Sequence, residues 1–121
     1  MININEYQRM AARTMNDKAD NVVNGALGLC GEAGEVADII KKCRFQGHDF
    51  EKSRGRILEE VGDCAWYLAC ICTAMGAKLS EVLQGNIDKL MARYPTGFSV
   101  ERSVNRDEVP FAELGASADE N

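Results

Sequence analysis

Two stretches of the chain place apolar residues at the spacing of amphipathic helices. In the first stretch, residues 28–42, the apolar positions are Leu29, Ala33, Val36 and Ile40. In the second stretch, residues 57–75, they are Ile57, Val61, Cys64, Leu68, Ile71 and Met75. Intervals of three and four residues put these side chains on one face of an α-helix. The sequence therefore predicts two long helices that bury these faces.

Each predicted helix also carries two acidic residues three positions apart. These pairs are Glu32 and Glu35 in the first helix, and Glu60 and Asp63 in the second. When the apolar positions are written as heptads, each acidic residue immediately precedes a core position. Both pairs therefore occupy the same flank of their apolar stripe, and an antiparallel helical hairpin should bring all four carboxylates to one side of its seam.

Four carboxylates beside a core repel one another, and partial dehydration makes each charge costlier to keep. A hard divalent cation removes this repulsion. Oxygen ligands suit Mg²⁺, with Mn²⁺ as the other candidate, and a cation held this way can bridge phosphate oxygens. The competing interpretation is that acidic residues at this spacing simply cover solvated helix faces.

Other helices and connections follow from cap and breaker residues. A first helix is predicted over residues 5–16 with Asn5 as its N-cap, and the second helix should begin near Asp20 or Asn21. Residues 41–56 are predicted to be a basic connection in which Gly47 and Gly55 act as helix breakers. The third helix should span residues 54–76 and end at Gly76, and Ser80 is predicted to cap the fourth.

The fold class predicted is all-α, a bundle-like domain of four to five helices over residues 1–98. From Phe98 the composition shifts to small and charged residues, so residues 99–121 are predicted to be an extended or partly disordered tail. The segment 109–111 is a candidate anchor on a neighbouring subunit.

Composition sets limits on partners and compartment. A chain of 121 residues buries a modest core alone, so we expect a homodimer or a dimer of dimers. The net charge of −5 disfavours a role in coating nucleic acid. No stretch is apolar enough for a membrane span, and MININEYQRM lacks signal-peptide features, so we expect a cytoplasmic protein. The five cysteines are predicted to be reduced, small core residues.

Glycine recurs at every third position in the first half of the second helix, at Gly25, Gly28, Gly31 and Gly34. Each glycine in a helix costs about 1 kcal/mol relative to alanine. Four of them indicate that something approaches this backbone closely, either a packed helix or a ligand.

The acidic pairs and their surroundings resemble a known family. The ExxE…ExxD arrangement, with GEAGEVAD around the first pair, EEVGDCAWYL around the second and NIDKLMARYPTGF beyond them, is similar to the MazG-like nucleoside triphosphate pyrophosphohydrolases. The similarity covers roughly residues 5–98. It implies an all-α fold and Mg²⁺-dependent hydrolysis of a nucleoside triphosphate to the monophosphate and pyrophosphate.

The resemblance also implies roles for particular residues. Glu32, Glu35, Glu60 and Asp63 would bind the metal and form the catalytic site. Asn86, Lys89 and Arg93 share one face of the fourth helix, and MazG-like proteins carry a similar N-x-x-K element, so these side chains are expected to contact phosphate. Tyr67 continues the line of Glu60 and Asp63 and is expected to border the substrate, while Trp66 is expected in the core or a subunit interface.

Two alternative functions stay open at this point. One is hydrolysis of a different diphosphate linkage, as in phosphoribosyl-ATP or a modified nucleotide. The other is a helical module that binds a nucleotide without turnover. A di-iron carboxylate bundle is disfavoured because His48 is the only histidine, so the Glu-x-x-His motifs of such bundles are missing.

Overall fold

The computed structural model describes residues 1–106, and these contain five helices and no strand. The helices are α1 (Ile4–Ala12), α2 (Asn21–Phe45), α3 (Phe50–Ala74), α4 (Leu79–Arg93) and α5 (Val100–Val104). The all-α prediction is confirmed. None of these helices is both long enough and apolar enough to cross a membrane.

The chain forms two compact units, and the first comprises Met1–Leu79. Within it, α2 and α3 form an antiparallel hairpin and α1 packs against α3. The buried apolar residues of this unit are few and mostly small: Ala11, Ile39, Ala69, Cys70, Cys72 and Leu79. The two predicted amphipathic helices therefore pack together as expected, and α1 covers a further side of α3.

The α2–α3 turn is much shorter than the predicted connection over residues 41–56. Only residues 46–49 separate the two helices, because α2 continues through its basic last turn and α3 begins at Phe50. The Asp49 side chain caps α3 by accepting a hydrogen bond from the Lys52 backbone N–H at 2.8 Å. Gly47 supplies the left-handed conformation of the turn, with φ of 73°. The prediction failed because Gly55 was taken as a breaker, whereas it lies inside α3.

Other helix limits also differ from the predictions. α1 begins earlier than expected because Asn3, not Asn5, is its N-cap and forms a capping box with Glu6. α4 begins at Leu79, so Ser80 lies inside its first turn. Gly76 does end α3 in a left-handed conformation, with φ of 69°, as predicted.

Gln8 joins α1 to the end of α3. Its Nε2 donates to Thr73 Oγ1 at 3.1 Å and to the Ala77 carbonyl at 2.9 Å. Its Oε1 accepts from the Leu79 backbone N–H at 2.8 Å. A single amide thus satisfies polar groups at the end of one helix and the beginning of the next.

The second unit begins at Ser80. Its α4 carries Asn86, Lys89 and Arg93, and the turn after it brings the Tyr94 and Phe98 rings to a centroid distance of 5.5 Å. Ser99 caps α5, so residues 100–104 are helical, in contrast to the extended tail that was predicted. The anchor predicted at residues 109–111 lies outside the described residues, and the domain limit at residue 98 stays a prediction.

The glycine pattern of α2 is explained at two of its four positions. A Cβ added at Gly25 would lie 2.5 Å from Ile71 Cγ1, and one added at Gly28 would lie 2.1 Å from Tyr67 Cε1. Both glycines therefore let α3 side chains reach the α2 backbone, which confirms close helix packing there. At Gly31 and Gly34, an added Cβ would meet no atom within 4 Å.

This difference gives a matched pair of substitutions. We expect Gly28→Ala to lower the free energy of unfolding by about 1 to 3 kcal/mol, because the new methyl group overlaps the Tyr67 ring. Gly31→Ala should leave it unchanged or raise it by up to about 1 kcal/mol, because alanine favours the helix. Urea denaturation followed by circular dichroism measures both, and equal effects of the two substitutions would contradict the packing described here.

Candidate metal-binding site

Three of the four predicted carboxylates converge on one side of the α2–α3 seam. One carboxylate oxygen from each of Glu32, Glu60 and Asp63 lies within 4.8 Å of those of the other two. Glu32 and Glu60 are half-buried, whereas Asp63 is exposed. We call these three residues the acidic cluster. It brings together one residue of α2 and two of α3 that are three positions apart on the same helical face.

Glu35 lies outside the acidic cluster. Three residues after Glu32, it is turned by about 60° around the helix, toward the outer edge of α2, and its side chain is exposed. The structure thus groups three of the four carboxylates that the spacing was expected to bring together. The metal-binding and catalytic roles of Glu35 stay a prediction.

The electrostatics of the cluster show that it holds more negative charge than it favours. The pKa of Glu60 is raised above its ordinary value, first because its carboxyl group hydrogen-bonds to Glu32 and then because of partial dehydration and the charges of Glu32 and Asp63. Arg56, one turn earlier on α3, acts in the opposite direction. The Glu60 carboxyl group therefore holds its proton more tightly than a free carboxyl group does, and when protonated it donates a hydrogen bond to Glu32, which is one way to relieve the repulsion.

A divalent cation would relieve the same repulsion without a proton. Two oxygens bound to one Mg²⁺ at about 2.1 Å each lie at most about 4.2 Å apart, so the cluster needs only small side-chain rotations to hold such an ion. All three donors are carboxylate oxygens, which suit Mg²⁺ or Mn²⁺ better than the softer transition metals. The residues present therefore fit the predicted cation.

Tyr7 of α1 is a neighbour of the acidic cluster that was not among the predicted site residues. Burial and the negative charge of Asp63 raise the pKa of the Tyr7 hydroxyl. A shift caused by Asp63 indicates that α1 brings this phenol close to the acidic cluster. The packing of α1 against α3 brings Tyr7 near Asp63, and no pattern in the sequence predicts this proximity.

The remaining predicted site residues have different surroundings. The Tyr67 ring lies against the backbone of Gly28, and its edge meets the Trp66 ring at a centroid distance of 5.0 Å. Trp66 is half-buried and donates its indole N–H to Thr14 Oγ1 at 3.0 Å. Asn86, Lys89 and Arg93 belong to α4 in the second unit, and their contact with phosphate stays a prediction.

The burial of each cysteine follows from its position on its helix. Cys70 and Cys72 are buried, and burial raises the pKa of both thiols. Cys43 and Cys64 are half-buried, whereas Cys30 is exposed, so the prediction that all five lie in the core is wrong for Cys30. Position 30 falls on the side of α2 that faces away from the seam. All five cysteines are free.

Two comparisons relate the chain to known proteins. A family model described as the MazG nucleotide pyrophosphohydrolase domain matches residues 24–98, which include all four predicted carboxylates. The chain is also 34% identical over 92 residues to the Gene 37 protein of Mycobacterium phage L5, an alignment that covers 74% of this chain and 81% of the phage protein. No solved structure matches significantly.

The raised pKa of Glu60 predicts how the stability of the metal-free protein depends on pH. Because the folded state holds the proton more tightly than the unfolded state, ionisation of Glu60 opposes folding. The stability that the protonated Glu60 carboxyl group contributes is fully present below the unfolded pKa of about 4.5. It is lost as the pH rises through the higher pKa of the folded state. Glu60→Gln should therefore raise the melting temperature at pH 7 in EDTA and flatten its dependence on pH above 4.5.

The measurement is a series of thermal unfolding curves followed by circular dichroism. Mg²⁺ should raise the melting temperature of the wild-type protein more than that of Glu60→Gln. Glu51→Gln, an exposed change in the first turn of the same helix, serves as the control and should behave like the wild type. A lower melting temperature for Glu60→Gln with an unchanged pH dependence would contradict the assignment of repulsion to this cluster.

Proposed function

The chain belongs to the MazG nucleotide pyrophosphohydrolase family, and from this premise we propose that it hydrolyses a nucleoside triphosphate to the monophosphate and pyrophosphate. The observation that carries the proposal is the convergence of Glu32, Glu60 and Asp63 at the α2–α3 seam. A ribo- or deoxyribonucleotide is the proposed substrate, and Mg²⁺ is the proposed cation, with Mn²⁺ as its substitute. All five cysteines are free, which fits the cytoplasmic location that we propose for this reaction.

The reaction adds water across one phosphoric anhydride bond. The oxygen of water forms a bond to the α-phosphorus, and the bond from that phosphorus to the bridging oxygen of the β-phosphate breaks. Pyrophosphate leaves with the electron pair of the broken bond. Bound Mg²⁺ would supply charge neutralisation at the reacting phosphorus and would make water more acidic.

The residues of the chain supply binding and proton transfer. Glu32, Glu60 and Asp63 would hold the cation, and we propose that Glu35 completes this ligand set. One carboxylate of the four accepts the proton of the attacking water. The half-buried position of Glu32 and Glu60 strengthens these electrostatic interactions relative to an exposed site.

Cationic and polar side chains would hold the leaving pyrophosphate. Arg56 lies inside α3, one turn before Glu60, and its charge already acts on the Glu60 carboxyl. Among the basic residues of the predicted connection, Arg56 is therefore the one whose charge acts on Glu60. We propose that Arg56 contacts the leaving pyrophosphate and that Tyr67 borders the nucleotide. For α4, taken by itself, Asn86, Lys89 and Arg93 are the residues that we propose to contact phosphate.

A direct assay tests the activity. Purified protein with Mg²⁺ should release pyrophosphate from at least one member of a panel of ribo- and deoxyribonucleoside triphosphates, phosphoribosyl-ATP and modified nucleotides. Glu35→Gln and Asp63→Asn should each reduce kcat/KM by at least about 100-fold, because each removes a charge that is needed in the transition state. Glu51→Gln should retain wild-type activity.

The product identifies the linkage that is cleaved. Release of pyrophosphate with a monophosphate supports the proposal, whereas Mg²⁺-dependent nucleotide binding without any product would assign the chain to the non-catalytic class. Full activity in both Glu35→Gln and Asp63→Asn would overturn the catalytic assignment.

A second test concerns the cations. Arg56→Gln and Lys89→Ala should each lower kcat/KM by about 100-fold if they stabilise the leaving pyrophosphate, and the loss should be mainly in kcat. Lys18→Gln, in the connection between α1 and α2, is the control of equal charge change. An effect of Lys18→Gln as large as that of Lys89→Ala would show that only the net charge of the protein matters.

A further inference from the structure

The end of the α2–α3 hairpin next to the turn is basic, whereas the chain as a whole is acidic. Residues 41–56 contain six lysine and arginine side chains and two acidic ones, so this end carries a net charge of +4 in a chain whose total is −5. The positive charge is therefore concentrated at one end of a hairpin whose middle holds the acidic cluster. Such a separation of charge gives the protein a surface that attracts anions locally.

The cations at this end differ in whether they have acidic partners. Lys41 and Lys42 form ion pairs with Asp38, at 3.1 Å and 2.5 Å. Arg44 and Arg54 are exposed, and within residues 1–106 neither forms an ion pair. These two guanidinium groups are therefore available to an anion from outside the described part of the chain.

Arg44 and Arg54 lie on the same side of the hairpin. Cys43 Sγ and Ser53 Oγ approach to 3.5 Å, so these two positions face each other across the seam. Each arginine follows the facing residue by one position and is turned by about 100° around its helix. Because α2 and α3 are antiparallel, equal rotations lead to the same side. Asp63, ten residues after Ser53, is turned by about 80° in the opposite direction, so the acidic cluster lies toward the other side.

Two phenylalanine rings flank these arginines and contribute little to the core. Phe45 exposes 80% of its surface and Phe50, the first residue of α3, exposes 55%. Phe50 precedes Ser53 by three positions, which turns it by about 60° toward the side of the arginines. Phe45 follows Arg44 on the outer edge of α2. We call Arg44, Phe45, Phe50 and Arg54 the tip patch.

The tip patch is held on helix ends and not on a long loop. Only residues 46–49 separate the two helices. Asp49 fixes the start of α3, because its side chain accepts from the Lys52 backbone N–H at 2.8 Å and its carbonyl accepts from Ser53 Oγ at 2.7 Å. The rings and guanidinium groups are therefore positioned before any ligand binds, which lowers the entropy that binding costs.

The shape and size of the tip patch decide which kind of anion it suits. The end of two adjacent helices measures about 20 Å by 10 Å, or roughly 200 Å². This is about a quarter of the roughly 800 Å² that each partner buries in a stable protein–protein interface. The end is also convex, whereas sites for small molecules are concave. A single nucleic-acid strand needs only cations for its phosphates and aromatic rings for its bases, and the tip patch offers both.

We propose that the tip patch binds single-stranded nucleic acid, with Arg44 and Arg54 on backbone phosphates and bases stacked on Phe50 and Phe45. The rest of the chain carries the remaining charge of −9, which repels a strand and limits the contact to a few nucleotides at this end. A local contact of this kind differs from the coating of nucleic acid that the net charge disfavours. The acidic cluster takes no part in it, so this inference does not rest on the proposed activity.

Fluorescence anisotropy of the full chain with labelled oligouridine and oligothymidine strands tests the proposal. The buffer contains EDTA, so that no metal ion links phosphates to the acidic cluster. Both strands should bind at low salt. Two phosphate contacts should give a slope of about −1.4 for log affinity against log salt, which is about a seven-fold loss between about 50 and 200 mM.

Substitutions separate the contributions of charge and stacking. Arg44→Gln and Arg54→Gln should each weaken binding and reduce the salt slope by about 0.7, whereas Lys18→Gln, an equal loss of charge between α1 and α2, should change neither. Phe50→Ala should weaken binding by about 5- to 100-fold, because a stacked base loses its platform. Met10→Ala removes an exposed apolar side chain of α1 and is the control. Circular dichroism should show unchanged helix content in every variant.

Several results would overturn the proposal. One is the absence of binding to either strand at low salt, and another is an effect of Lys18→Gln as large as that of Arg44→Gln. Duplex DNA that binds as tightly as the single strands would exclude base stacking on the rings. Displacement of the strands by polyglutamate as effective as that by unlabelled oligonucleotide, with no effect of Phe50→Ala, would assign the tip patch to acidic peptides instead.

Discussion

The mutual repulsion of the carboxylates at the α2–α3 seam is the interaction on which the rest of the site depends. Three carboxylate oxygens within 4.8 Å of one another oppose the folded state unless a proton or a cation lies between them. A hydrogen bond to Glu32, partial dehydration and the neighbouring negative charges raise the pKa of Glu60, so a proton on this carboxyl group is one way to relieve the repulsion. A cation that prefers oxygen ligands would replace that proton, and the carboxylates are already grouped to bind it. The same repulsion therefore favours binding of a cation and destabilises the folded protein without one.

Close helix packing maintains this strained arrangement. Gly25 and Gly28 allow Ile71 and Tyr67 to contact the α2 backbone, which brings the two helices together at the end of the hairpin remote from the turn. At the other end, Cys43 Sγ and Ser53 Oγ approach to 3.5 Å. The acidic cluster lies between these two zones of contact. Because the seam is fixed on both sides, the backbone positions that carry these carboxylates cannot separate without loss of packing.

Much of this arrangement could be predicted from the sequence, because periodic apolar residues determine which helix faces are buried. That periodicity predicted the pairing of α2 with α3 and the common flank of Glu32, Glu60 and Asp63. It did not predict that Glu35 lies outside the acidic cluster, because the distance between carboxylates also depends on how far each position is rotated away from the seam. The length of the turn was missed because Gly55 was taken as a breaker, whereas tertiary packing keeps it inside α3. The proximity of Tyr7 to Asp63 arises from tertiary packing of α1, on which the sequence is silent.

The short turn over residues 46–49 has a consequence for how the chain tolerates changes of length. Its ends lie at the tip of the hairpin, so an added residue there lengthens a loop and leaves both helices in register. An added residue inside α2 between Gly28 and Glu32, by contrast, would rotate everything that follows by about 100° and move Glu32 away from Glu60. Insertions are thus tolerated at the tip of the hairpin, whereas insertions along the seam separate the acidic residues. The number of residues between the glycine contacts and each acidic residue is therefore the length that is least free to change.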